Sequence, residues 1–193
     1  MLSNIKTILS EYADNYTKGT EELKKAIDRI NMTYKDDFAK KSIVEVREAY
    51  NADLMDIQTK AKEELTTIFE NAKRTLKESI AVELPDNFLK DYEIMKTVTL
   101  TASEFKVLID KYVDNYMACK LIVDIGKQNG HILKLNPIEE RISELDKLKE
   151  KCVDFIGNYK GKNAVYEHEN LLRGEIINSV AEDVKSNIFI PSE

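Results

Sequence analysis

From Thr20 to Leu84 the chain contains neither glycine nor proline, and strong helix formers fill the run. No other feature constrains the fold so strongly. Gly19 is the only glycine before Pro85, and the remaining five glycines and the other two prolines all follow Pro85. The spacing predicts a first helix from about Asn4 to Asn31. Its apolar stripe is Ile5, Ile8, Leu9, Tyr12, Tyr16, Leu23, Ile27 and Ile30. Residues 31–37, NMTYKDD, then concentrate side chains that compete for backbone hydrogen bonds, which makes them the weakest point of the run.

A second helix is predicted from about Asp37 to Glu83. Between Leu54 and Leu76 its apolar positions are Ile57, Ala61, Leu65, Ile68 and Ala72, at steps of three, four and four. That is an eleven-residue repeat, which stays nearly in phase with a straight helix. A helix of this length spans about 70 Å at 1.5 Å per residue. A compact domain of the same chain length has a radius of gyration of only about 16 Å. The second helix must therefore pack along another long helix. Either residues 31–37 turn and the first helix folds back as an antiparallel hairpin, or residues 4–83 form one helix that needs a second subunit. The Asn/Thr/Asp cluster favours the hairpin.

The breakers after Pro85 divide the rest into shorter pieces. A short helix is expected from Asp86 to Lys96, followed by an extended segment at Thr97 to Leu100. Thr101-Ala102-Ser103-Glu104 is a capping box that opens a helix reaching Gln128, with Tyr112 and Tyr116 on one face. Asn129-Gly130 stops it, and residues 131–136 are extended. Asn136 and Pro137 suit the cap and first position of the next helix. Residues 157–163, GNYKGKN, end that helix, and a last one covers Ala164 to Lys185. The tail Ile188-Phe189-Ile190 is apolar and extended. It either docks on its own domain, the favoured choice, or adds a strand to a partner's edge. The expected fold class is all-α. A long helical arm, a hairpin or coiled coil over residues 1–84, precedes a helical domain over 86–193.

Charge and composition narrow the function classes. One third of the 193 residues are charged and the net charge is −6, with both signs mixed along the chain. Nucleic acid and anionic membranes reward basic patches, so neither is an expected partner. No apolar run approaches the about 18 residues of a membrane span, and the opening segment lacks a secretory leader's basic and apolar blocks. Cys119 and Cys152 sit singly on apolar stripes and are expected as buried free thiols in a reduced compartment.

The chemical motifs are near misses. Gly157 to Lys162 approaches a phosphate-binding loop, but the glycine spacing is one short and Asn163 stands where Ser or Thr should bind Mg²⁺. His168, within Tyr166-Glu167-His168-Glu169, lacks a Glu three residues before it, as does His131, so the carboxylate-bridged di-metal pattern is missing. Each is expected to be solvated or locally paired. Acidic pairs such as Glu63/Glu64 are consecutive on a helix and do not face each other across a cleft. No catalytic residue, cofactor site or metal site is expected, and the chain is read as a non-enzymatic protein.

The segment Val98-Thr99-Leu100-Thr101-Ala102-Ser103-Glu104-Phe105, with Leu108, Lys111-Tyr112 and Asn115-Tyr116, resembles small helical proteins encoded in bacteriophage structural gene clusters. There too a long charged helix precedes a helix of this pattern. The resemblance covers about 20 residues and the overall layout. It implies a role in head or tail assembly, as a scaffold-like or minor structural protein, in the host cytoplasm and associated with the virion. The chain departs from scaffolding proteins in ending with apolar SNIFIPSE rather than a basic helix. The resulting expectation is an assembly or interaction protein acting by coiled-coil packing, with itself or a structural partner, and forming a homo-oligomer. Leu54, Ile57, Leu65, Ile68 and Leu76 carry the arm, and Ile188, Phe189 and Ile190 make a tail contact. The alternative is an acidic module that blocks a host macromolecule. A continuous acidic stripe on its surface would favour that alternative.

Overall fold

The computed structural model describes residues 2–161, 166–174, 176, 178, 188 and 189. The fold is all-α. Its described helices are α1 (Leu2–Thr33), α2 (Asp36–Glu78), α3 (Phe88–Thr97), α4 (Ala102–Lys111), α5 (Tyr116–Gln128), α6 (Ile138–Asn158) and α7 (Tyr166–Arg173). Two short strands, β1 (Lys134–Leu135) and β2 (Ile188–Phe189), pair antiparallel, with Lys134 opposite Phe189 and Leu135 opposite Ile188. The tail thus pairs within its own chain at Ile188 and Phe189, while Ile190 lies outside the described residues.

The chain forms two compact units. The first is Met1–Phe69 with Leu148–Asn178, and the second is Glu70–Lys147 with Ser179–Glu193. The sequence places one boundary near Pro85. The units instead divide inside α2 and α6, because the C-terminal part of α6 and α7 fold onto the N-terminal helices.

In the first unit α1 and α2 form an antiparallel hairpin. Tyr34 still donates its N–H to the Ile30 carbonyl (2.9 Å), and the chain then reverses at Asp36, whose φ is +58°. A short polar side chain tolerates this left-handed conformation better than a bulky or branched one. So the Asn/Thr/Asp cluster makes a turn without glycine or proline. Paired residues along this hairpin have numbers summing to about 70: the Thr20 and Tyr50 hydroxyls are 2.9 Å apart, and Gln58 Nε2 donates to the Tyr12 hydroxyl at 3.2 Å. Gly19 gives the helices room at this level, since a Cβ there would stand 3.1 Å from the Tyr50 ring.

The second unit corrects the sequence reading at two points. Helix α2 ends at Glu78 rather than Glu83. Beyond it Ile80 and Ala81 donate to Lys77 and Glu78, the tighter i to i−3 pattern of a fraying end. The helix expected to run from Thr101 to Gln128 is two helices. The capping box forms as the sequence predicts: Glu104 N–H donates to Thr101 Oγ1 (3.3 Å) and Thr101 N–H to Glu104 Oε2 (2.8 Å). Helix α4 nevertheless stops at Lys111. Buried Asn115 is the reason: its Oδ1 accepts from Ala118 N–H at 2.9 Å and starts α5, while its Nδ2 donates to the Glu83 carbonyl at 2.9 Å. Tyr112 and Tyr116 therefore do not share a helix face. Tyr112 donates its hydroxyl to Asp91 (2.7 Å), to which Lys111 is also bound (2.6 Å).

The core of this unit joins Phe88, Met95, Phe105, Ile109, Tyr112, Ile122, Val123 and Leu133. Gly126 lets Leu133 close over α5, since a Cβ there would come 2.2 Å from Leu133 Cδ1.

Candidate functional site

The hairpin changes character along its length. At its base, Ile5, Leu9, Leu65 and Phe69 are fully buried. One flank there is covered by the C-terminal part of α6. The Tyr12 hydroxyl donates to the Ile156 carbonyl (2.8 Å), and Gln58 Nε2 donates to the same oxygen (3.2 Å). This carbonyl is among the last of α6 and has no partner further along the helix, so two side chains of the hairpin supply what the helix lacks. Tyr12, Phe155 and Tyr159 stack edge-on or tilted around it, and Tyr159 reaches Tyr16 at 5.4 Å between ring centres. Burial, with smaller contributions from neighbouring tyrosines, raises the Tyr12 pKa. Helix α7 lies on α1, where Lys6 Nζ donates to the Arg173 carbonyl (3.4 Å).

Beyond this base the picture reverses. Between Asp14 and Lys60 no residue is fully buried, and the only buried one is Ala39. Leu23, Ile27, Ile30, Ile43, Val46, Tyr50, Leu54 and Ile57 are all half-buried. Two helices alone offer each stripe one neighbour, and a stripe more than about 100° wide needs more than that. At the tip Met32 is 87% exposed, and Tyr34 stacks on Phe38 at 4.9 Å in solvent.

Two grooves run along the hairpin. The distal one, of about 420 Å³, lies between Asn15–Ala26 on α1 and Val46–Ile57 on α2, with Leu23, Val46, Leu54 and Ile57 among its apolar lining. The proximal one, of about 500 Å³, is lined by Asn4, Thr7, Ile8 and Glu11 on α1 and by Glu63, Glu64, Thr67 and Ile68 on α2. The spacing shows that both open on one flank. Asn4, Thr7, Ile8 and Glu11 are each eleven residues before Asn15, Lys18, Gly19 and Glu22, and Asp53 and Ile57 are each eleven before Glu64 and Ile68. Eleven residues bring a helix back to the same side after three turns. The repeat read from the sequence of α2 thus runs along both helices and produces one open flank.

The residues expected to carry the arm divide accordingly. Leu54 and Ile57 line the distal groove and Ile68 the proximal one. Leu65 is fully buried at the base, and Leu76 is buried in the second unit, so neither presents a surface. In the second unit an apolar groove of about 360 Å³ lies between α3 and α4, formed by Ile94, Leu100, Val107 and Leu108 over Met95. Ile94 and Val107 are exposed and belong to neither helix's buried face, so only the packing of α3 against α4 brings this groove together.

The remaining candidates for chemistry are enclosed. Both cysteines are buried free thiols. Burial, with the Asp114 charge adding to it, pushes Cys119 to about 11, and burial alone pushes Cys152 to about 12, opposite to what a nucleophilic thiol needs. His168 is locally paired rather than solvated: it is buried edge-on against Phe155, with Nε2 3.4 Å from Asp154 Oδ2. His131 Nε2 lies 2.8 Å from the Leu100 carbonyl. Among the described residues no group of three His, Cys, Asp or Glu side chains is placed to hold a metal, and no helix is long and apolar enough to cross a membrane. Compared with known protein families, curated proteins and solved structures, the chain matches none.

Proposed function

We propose that this is a non-enzymatic helical interaction protein that takes up a partner along the open flank of the α1–α2 hairpin. The observation that carries the proposal is the half-buried stripe from Tyr16 to Ile57, with its two grooves in line. Leucine and isoleucine gain about 1.5–3 kcal/mol each on full burial, so Leu23, Leu54 and Ile57 hold unspent stabilisation that a third helix can draw on. Helix α6 illustrates such a third helix at the base of the same hairpin. The likeness of residues 98–116 to phage structural proteins supports a finer reading, a role in assembling a phage head or tail.

The test is a photo-crosslinking residue at Leu54, compared with one at Val44 on the back of α2, in cells producing the chain. The proposal expects a discrete protein adduct at Leu54 that is missing at Val44. Adducts of equal yield at both positions, or none at Leu54, would overturn it. For the phage reading the adduct should be a virion protein.

A further inference from the structure

Resting on that reading, we infer that the open flank is built for an amphipathic helix with basic edges, supplied by a different protein, rather than for a second copy of this chain. The two grooves are apolar along their floor and charged along their rims. Their rims carry five carboxylates: Glu22 and Asp53 in the distal groove, and Glu11, Glu63 and Glu64 in the proximal one. Against these stands one lining cation, Lys18, and the spacing puts exposed Lys60 between the grooves as a second.

This imbalance is local. Over residues 4–68, the span that holds both grooves, eleven basic side chains face thirteen acidic ones, so the flank gathers negative charge that the hairpin does not have on average. Two copies placed flank to flank would set ten carboxylates against four ammonium groups, and like charges in contact disfavour a partner. A helix with an apolar centre and lysine or arginine on both edges meets the floor and the rim together, which is the helix-in-groove mode of recognition. The length is defined as well. From Asn4 to Ala26 the flank extends about 33 Å at 1.5 Å per residue, the length of a helix of about 22 residues.

The test uses the full chain and two fluorescein-labelled 22-residue peptides with the same leucine row, one edged with lysine and one with glutamate. Fluorescence anisotropy is measured at 50 and 300 mM salt. The lysine-edged helix should bind at least tenfold more tightly at low salt, and the preference should shrink at high salt, where the screening length is shorter. The triple variant Glu22→Lys, Asp53→Lys, Glu64→Lys should weaken that binding at least tenfold. The triple variant Asp28→Lys, Asp37→Lys, Glu48→Lys, which makes the same charge change at exposed positions off the flank, should stay within about twofold of the parent. Circular dichroism confirms that each variant is folded. Equal binding of the two peptides, or equal losses in the two triple variants, would overturn the basic-partner proposal and leave the docking reading intact. A dimer by light scattering that Leu54→Asp dissociates would also overturn it, in favour of a second copy. Failure of both peptides to bind would overturn the basic-partner proposal, and that failure together with no discrete adduct from the photo-crosslinking residue at position 54 would overturn the docking reading as well.

Discussion

The base of the hairpin and its distal part are made from the same two helices with the same eleven-residue repeat, yet the base encloses a fully buried row beneath its groove and the distal part encloses none. At the base, Leu9 and Leu65 have no exposure, whereas Leu54 and Ile57, one helical repeat away, remain half-exposed. The difference lies in a third helix, absent from the repeat itself. Where α6 arrives, Tyr12 and Gln58 bind its Ile156 carbonyl and the stripe is closed. Periodicity determines which residues face a neighbour, and the neighbour decides whether they are buried.

Substitutions along the stripe separate the two regions. The largest effect is expected at the base. Leu65→Ala should cost about 2–5 kcal/mol, as buried leucine truncations do, and Leu65→Asp should abolish the cooperative melt followed by circular dichroism. Leu54→Ala, chemically the same change in the distal groove, should cost under about 1.5 kcal/mol, because a half-exposed side chain loses less transfer energy and leaves no closed cavity. If the two alanine variants melt together, the distinction between the regions is wrong.

A smaller effect tests what closes the base. Tyr12→Phe removes one of the two donors to the Ile156 carbonyl and should cost about 1 kcal/mol by chemical denaturation. The loss should deepen when Gln58→Ala is added, since the carbonyl then has no side-chain donor. Strict additivity of the pair would argue against a shared acceptor.

The smallest effect is expected from glycine at the turn. Asp36→Gly relieves a left-handed residue of its Cβ but adds freedom to the unfolded chain, so stability should change by under about 1 kcal/mol. Asp36→Val should cost more, about 1–2 kcal/mol, because a branched residue resists φ near +58°.

The sequence made the hairpin legible through two signals, the breaker-free run and the polar cluster at residues 31–37, and the capping box at Thr101 marked the start of α4. The eleven-residue repeat even placed Leu54, Ile57 and Ile68 on the flank that the grooves occupy. Other features depend on contacts between distant parts of the chain, which periodicity does not encode. Nothing around Phe155 or Ile156 says that α6 should close on Tyr12, so the stripe alone does not tell where along the hairpin a third helix covers it. The break before α5 had a local signal in Asp114-Asn115, two side chains able to compete for backbone hydrogen bonds. That signal was outweighed by the continuous apolar spacing from Phe105 to Val123. The acidic rim was also unreadable from totals, because the two signs are nearly balanced along the hairpin and part company only across its faces.

Amide hydrogen exchange of the isolated protein, read by mass spectrometry, tests the central contrast most directly. Helix segments held by few buried contacts open at lower free energy than those in a sealed core. Amides within residues 15–57 should exchange at least about tenfold faster than those within 5–13 and 61–69. Uniform protection along both helices would contradict it, since the distal flank would then already be closed.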